Sequence, residues 1–273
     1  MKRVVVLLVV CLLFVGCNRN PLTGQRTIAL VSNNTLFPMA FQQYEDFLNE
    51  NTLVTGTAEA EMVRRVGDRI RLAAESLLAA EGHENYLDDY QWEYHLVQSN
   101  EVNAWVMPGG KIVIYTGILP LAGNEDGLAV IMGHEVAHAI LNHGQQRMSA
   151  SLLREIGRLG ISIGASLLDL PSDTQRLILA AYGVGSHLGA ILPFSRSHEN
   201  EADYYGLILM TIAGYDQNAA VSFWERMAAL GGGGLEWLST HPSSENRAGQ
   251  LQGWIPETRE IADQIKLSIS YVQ

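Results

Sequence analysis

Apolar positions along the chain repeat mostly at helical spacing, and the period shortens to two in a single region. Val63, Val66, Ile70, Ala73 and Leu77 fall three and four residues apart, which predicts an amphipathic helix ending near Glu81-Gly82. Its opposite face, with Arg64, Arg65, Asp68 and Arg71, is expected to be solvated. A shorter helix is expected over Leu36 to Leu48. Trp92, Tyr94 and Leu96 alternate with Gln91, Glu93 and His95, the signature of a half-buried strand. Asn103 to Met107 and Lys111 to Tyr115 form two more strands, joined by Pro108-Gly109-Gly110, where a proline suits an edge position. Met148, Leu152, Ile156, Leu159 and Ile163 make another helical stripe within 145–170, stopped at Pro171. Leu177 to Phe194 is apolar throughout but carries three glycines, His187 and Pro193, so it reads as a buried or site-covering helix, with membrane contact as the competing reading. Further helices are expected over 195–213, over 216–230 behind an Asp216 cap, around 245–252, and over 257–270 behind Pro256. Gly231 to Gly234 is expected to be a mobile loop. The predicted class is α+β, mostly helical, with one small sheet.

One apolar run, Leu128 to Leu141, contains His134-Glu135-Val136-Ala137-His138. Asn124 is the expected N-cap, Glu125 and Asp126 place acid in the first turn, and Gly144 is expected to close the C-terminus. On a helix, residues i and i+4 lie about 40° apart, so His134 and His138 point the same way. Two neutral imidazoles on one face make half of a zinc site, and Glu135 is placed to reach a water on the open side. A third ligand is required. A histidine at 144, as in the metzincin pattern, is excluded because Leu141 and Gly144 occupy the diagnostic places. Glu199-Asn200-Glu201-Ala202-Asp203 supplies the alternative. Glu199 and Asp203 share a helix face, Glu199 as the third ligand and Asp203 as acceptor from a ligand histidine's other nitrogen. Ala202 is small enough for two helices to approach. Glu201 points elsewhere and reads as a solvated acid. His143 reads as a C-terminal helix charge or a surface residue.

The N-terminus narrows the setting. Lys2 and Arg3 precede an uncharged apolar stretch, Val4 to Val15, and then Gly16-Cys17. This predicts a lipoprotein-type secretory signal over 1–16, with an ordinary cleaved signal or an uncleaved anchor as the competing reading, and twelve residues fall short of the about 20 that span a bilayer. Leu13 to Cys17 resembles a bacterial lipoprotein box, with Cys17 as the lipidated first residue and Phe14 departing from the usual aliphatic. Asn18 after the cysteine favours, by that resemblance, the outer membrane. Residues 17–35 are expected to be a lipid-proximal linker and 36–273 the folded domain. The cysteines are Cys11 and Cys17 alone, so the mature chain has no disulfide to form. A net charge of −11 and no basic run argue against nucleic acid as a partner.

Several segments together carry a family resemblance. His134 to His138, Ser195-Arg196, Glu199 to Gly206, Asn103-Ala104-Trp105, Pro108-Gly109-Gly110, Tyr115-Thr116-Gly117, Thr240-His241-Pro242-Ser243, Arg247 and Asn20 to Gly24 are similar to peptidase family M48, which includes the CAAX prenyl proteases and the Oma-type stress peptidases of mitochondria. The resemblance implies a gluzincin-type metallopeptidase core in the small lipoprotein branch, one Zn2+ per chain, and peptide-bond hydrolysis. Metal ligands would be His134, His138 and Glu199, with Glu135 as general base. The oxyanion donor is drawn from His241, Tyr204, Tyr205, Arg196 and Arg247. His241 has three readings: that donor, a fourth zinc ligand keeping the enzyme latent, or a helix-entry histidine before Pro242. A substrate strand is expected on the edge at Asn103, Ala104 and Trp105, with Trp105 as core the alternative. The expected substrates are misfolded or unassembled envelope proteins met in the periplasm at the outer membrane. A lipoprotein chaperone with a latent or structural zinc site, and a zinc hydrolase of peptidoglycan, are the competing functions.

Overall fold

The computed structural model describes residues 17–159, 195–230, 236–241 and 246–270. Residues 1–16, expected as a signal, the apolar stretch 177–194 and the glycine run 231–234 lie outside the described residues. In chain order the elements are β1 (Cys17–Arg19), β2 (Arg26–Ile28), α1 (Asn33–Glu50), β3 (Leu53–Val54), α2 (Ala58–Ala80), β4 (Glu93–Val97), β5 (Ala104–Met107) and β6 (Lys111–Tyr115). After a short 3-10 turn come α3 (Leu119–Ala122), α4 (Glu125–Ile140), α5 (His143–Leu159), α6 (Arg196–Ile212), α7 (Asn218–Ala229), α8 (Glu236–Thr240) and α9 (Arg247–Ser270). The class is α+β and mostly helical, as the periodicity predicts.

The four-stranded sheet runs β3-β4-β6-β5. β4 pairs parallel with β6, and β5 pairs antiparallel with β6 in the register Trp105↔Val113. β6 is buried on both faces, which is why Ile112 to Tyr115 is a continuous apolar run rather than an alternation. Ala104, Val106, Ile112 and Ile114 face the main core with α2 and α4, whereas Trp105, Met107, Val113 and Tyr115 face α1 and α5. β5 is the sheet edge beside α4, and Pro108 follows it where no ladder bond is lost.

The metal-motif helix α4 starts as the sequence predicts: the Asn124 side chain accepts from Gly127 N at 2.9 Å. Every residue from Gly127 to Ile140 is buried, so the helix is central rather than amphipathic. Its end differs from expectation. Gly144 lies in the first turn of α5, and the left-handed residue is Asn142 at φ 57°. Asparagine tolerates that conformation better than other side chains, so a glycine is not needed there. α6 is the principal partner of α4. The two helices approach closely at Gly133 and Gly206, where an added Cβ on Gly206 would lie 3.2 Å from His134 N. Ala202 is fully buried in the same interface.

Two other regions depart from what the sequence suggests. Residues 17–28, expected as linker, form a two-stranded antiparallel hairpin whose turn is held by the Asn20 carboxamide accepting from Leu22 N and Thr23 N. The hairpin docks on the body through Tyr205, which donates to Leu22 O at 3.0 Å, and just beyond it Leu30 N donates to Ser149 Oγ at 3.1 Å. The two helices expected around Pro256 are one, α9, with Pro256 inside it. Packing against α6 and α7, with Leu251, Ile255 and Ala262 buried, outweighs the missing backbone donor.

Candidate metal centre

Four side chains from three parts of the chain converge in the interior. His134 and His138 come from α4, Glu199 from the first turn of α6, and His241 from the residue following α8. One donor atom from each lies within 4.8 Å of all the others, and all four residues are buried. His134 Nε2 and His138 Nε2 are 3.1 Å apart. His241 Nδ1 lies 3.2 Å from His134 Nε2 and 3.1 Å from Glu199 Oε1. The Glu199 carboxylate is 3.3 Å from His138 Nε2 and 3.4 Å from His134 Nε2. Lone pairs aimed at one another at these distances repel unless a cation, or a proton in its place, lies among them. Among the described residues Glu199 Oε2 is buried and meets the charge of Arg247, whose Nη1 lies 3.1 Å away without the geometry of a hydrogen bond. Imidazole nitrogens with one carboxylate are a donor set for a divalent transition metal, zinc among them.

The electrostatics carry the same demand for positive charge. Burial disfavours a charged His134, but Glu199 and Asp203 beside it push its pKa up to about 9. His138 is held well below the usual histidine value, chiefly by burial and the neighbouring His134. Burial opposes ionisation of Glu199, yet His241 and His134 hold its carboxyl well below the normal range.

Asp203, one turn along α6 from Glu199, accepts from His134 Nδ1 at 2.9 Å. In the neutral imidazole that a metal requires, this bond leaves His134 Nε2 bare toward the cluster. Arg247, only 4% exposed, grips Asp203 with Nε at 2.5 Å and Nη2 at 2.6 Å, and its Nη1 lies 3.1 Å from Glu199 Oε2. The guanidinium also lies 3.6 Å over the Trp224 ring. The resemblance offers Arg247 as an oxyanion donor; in the fold its fork is engaged by the two carboxylates.

Glu135 is buried at the edge of the cluster. Its Oε1 accepts from Trp237 Nε1 at 2.9 Å and lies 3.5 Å from His241 Nε2. Trp237 is fully buried, stacked on Trp224. Its backbone N–H donates to Val102 O, beside β5. The sequence alone does not single out Trp237, because it sits behind a glycine run with no period to place it.

Tyr205 is not in the cluster. Two residues past Asp203 it faces the other way round α6, and its hydroxyl reaches the N-terminal hairpin. Tyr204 donates to Glu257 instead. Of the proposed substrate strand, Trp105 is core: its ring meets Phe47 and Tyr44 edge-on. Tyr115 N donates to Asn103 O, so the alternation turns the backbone groups of Ala104 and Val106 away from β6. Ala104 N–H is taken by the Asn103 side chain. Two groups expected at the surface are drawn inward. His143 is fully buried, 2.9 Å from His138 Nδ1, and Glu201 lies 3.2 Å from His143 Nε2.

The sequence matches Peptidase family M48 over residues 68–255. It is 40% identical over 183 residues to the mitochondrial metalloendopeptidase OMA1 of Schizosaccharomyces pombe, covering 65% of this chain and 51% of that protein. Against the mitochondrial metalloendopeptidase OMA1 of Bos taurus it is 30% identical over 268 residues, 94% of this chain and 49% of the other. Against the metalloprotease YcaL of Escherichia coli it is 26% identical over 199 residues, 72% of this chain and 73% of the other. The chain spans about half the length of these OMA1 proteins. The matched region runs from α2 to α9 and contains all four converging side chains with Glu135, Asp203 and Arg247. With this gluzincin-type core, the chain belongs to peptidase family M48.

Proposed function

We propose that this chain is a zinc endopeptidase of the bacterial cell envelope that hydrolyses peptide bonds in misfolded or unassembled envelope proteins. The observation that carries the reading is the buried Glu135 carboxylate beside a convergent set of imidazoles and one carboxylate. His134, His138 and Glu199 hold the zinc. Bound there, zinc supplies Lewis-acid polarisation of the scissile carbonyl and acidifies a water. Glu135 takes the proton of the attacking water and returns it to the leaving amine, with Trp237 fixing Oε1 and leaving Oε2 for the transfer. An extended substrate adds to the β5 edge through the outward carbonyl of Ala104 and the outward backbone groups of Val106, a pairing that needs little side-chain specificity. Cys17, as a lipidated residue, tethers the domain at the outer membrane.

His241 defines the resting state in this reading. A catalytic zinc site keeps a position open for water, and His241 Nδ1 supplies a fourth donor. We read it as a latch, whose removal in His241→Ala raises basal proteolysis; loss of turnover would make it a transition-state donor. The same observation favours a second reading, a lipoprotein chaperone whose zinc site stays shut. Glu135→Gln separates the two. It should retain zinc and lose cleavage of an unfolded substrate such as casein, and an envelope defect should not be rescued by it. Full turnover by Glu135→Gln would sink the mechanism, and rescue by it would favour the chaperone.

A further inference from the structure

Each of the two α4 histidines turns its second ring nitrogen to a different kind of partner. His134 Nδ1 meets Asp203 directly, in the buried grip of Arg247. His138 Nδ1 meets another imidazole, His143 Nδ1, at 2.9 Å, and His143 Nε2 meets Glu201 Oε2 at 3.2 Å. We infer that His143, oriented by Glu201, is the positioning residue for His138, completing a carboxylate–imidazole–imidazole chain that fixes the metal-facing nitrogen.

Proton accounting along this chain has one solution for neutral imidazoles. A carboxylate only accepts, so His143 carries its proton on Nε2 and donates to Glu201. His143 Nδ1 then has a lone pair and accepts from His138 Nδ1–H. His138 Nε2 is left without a proton, facing Glu199 and His134, as a metal ligand must be. Reversing the bond between the two imidazoles would place a proton on His138 Nε2, inside the cluster.

The backbone is built to bring His143 there. On a continued helix, a residue five places on lies about 140° round from His138 and cannot meet it. The chain instead leaves α4 at Ile140 and passes through Asn142 at φ 57° before α5 begins at His143. Tyr86 secures that turn: it donates to Ile140 O at 3.3 Å and accepts from Asn142 Nδ2 at 2.5 Å. His198 stacks on the His143 ring, with centroids 4.4 Å apart and planes 15° apart. The Glu201 side chain is 21% exposed and also accepts from Gln25 of the N-terminal hairpin.

This inference rests on the zinc reading above and is tested on metal retention rather than activity. Zinc-loaded protein is titrated with a chromophoric chelator, and metal-free protein is melted in parallel. His143→Phe and Glu201→Ala should surrender zinc about 10- to 100-fold more readily than wild type, and His143→Asn, whose amide oxygen replaces Nδ1 as acceptor, should recover most of the loss. Melting of the metal-free Glu201→Ala form should stay near wild type. In cobalt-substituted protein, the visible bands should move in His143→Phe and return in His143→Asn. Should His143→Phe fail to fold, Glu201→Ala carries the test alone, because its carboxylate reaches solvent. Wild-type retention in both variants, or an Asn variant as weak as Phe, would overturn the inference. A wild-type chain that takes up no zinc would overturn the underlying reading instead.

Discussion

Replacing Arg247 with Met isolates the cost of the buried charges beside the cluster. The methionine keeps an apolar stem against Trp224 but removes the fork that holds Asp203 at 2.5 and 2.6 Å and neighbours Glu199 at 3.1 Å. Asp203 is 6% exposed and would keep His134 Nδ1–H as its remaining side-chain partner. Breaking one side of a buried ion pair typically costs about 3–5 kcal/mol, because the remaining charge is neither solvated nor compensated. At about 2–4 °C per kcal/mol for a domain of this size, melting should fall by roughly 6–20 °C. The pH dependence has a definite sign. Burial opposes ionisation of Asp203, but Arg247 and His134 lower its carboxyl below the ordinary value of 3.8. In wild type that stabilisation is present above about pH 4 and is lost as pH falls through the lowered value. In Arg247→Met the uncompensated carboxyl titrates higher, so the gap between the proteins should be widest near neutrality and shrink in acid. Urea unfolding of the metal-free proteins from about pH 4 to 8 measures it, and Arg247→Lys should recover only part of the loss. A penalty below about 1 kcal/mol near neutral pH would refute the argument that Arg247 compensates these carboxylates.

Trp237→Phe keeps the ring stack on Trp224 but removes the indole donor to Glu135. Its kcat should drop by roughly 10- to 150-fold, with KM little changed, because a hydrogen bond to a charged group contributes roughly 1.5–3 kcal/mol; an unchanged kcat would show that Trp237 does not orient the base. Gly206→Val should cost about 1–3 kcal/mol and weaken zinc retention together, since its side chain meets His134 and Gly133 and would part α4 from α6. Gly253→Ala, in open space on α9, is the control and should gain up to about 1 kcal/mol in urea unfolding.

The legible parts of the molecule are those whose determinants are local. Asn124 caps α4, the three-and-four spacing places Val63 to Leu77 in the core, and the strand Lys111–Tyr115 follows from its residues alone. His134, His138, Glu199 and Asp203 are legible because helical geometry converts spacing into a shared face. The illegible parts depend on contacts distant in sequence. β3 is two residues whose only warrant is pairing with β4, and the hairpin at 17–28 is set by an Asn20 turn and by docking on Tyr205. His143 reads as a surface charge because its burial follows from one left-handed residue, Asn142. Glu201 sits two places from Glu199, where a helix alone predicts solvent; α5 folds back to meet it. Resemblance points Tyr205 at the site, and the helix turns it toward Leu22.

The claim that His134, His138 and Glu199 form a zinc centre is tested most directly by counting the metal. Purified protein reconstituted with zinc and freed of excess should hold about one ion per chain, and Glu199→Ala should hold less than about a tenth of that with its helical circular dichroism intact. Full zinc occupancy in Glu199→Ala, or none in wild type, would contradict the account.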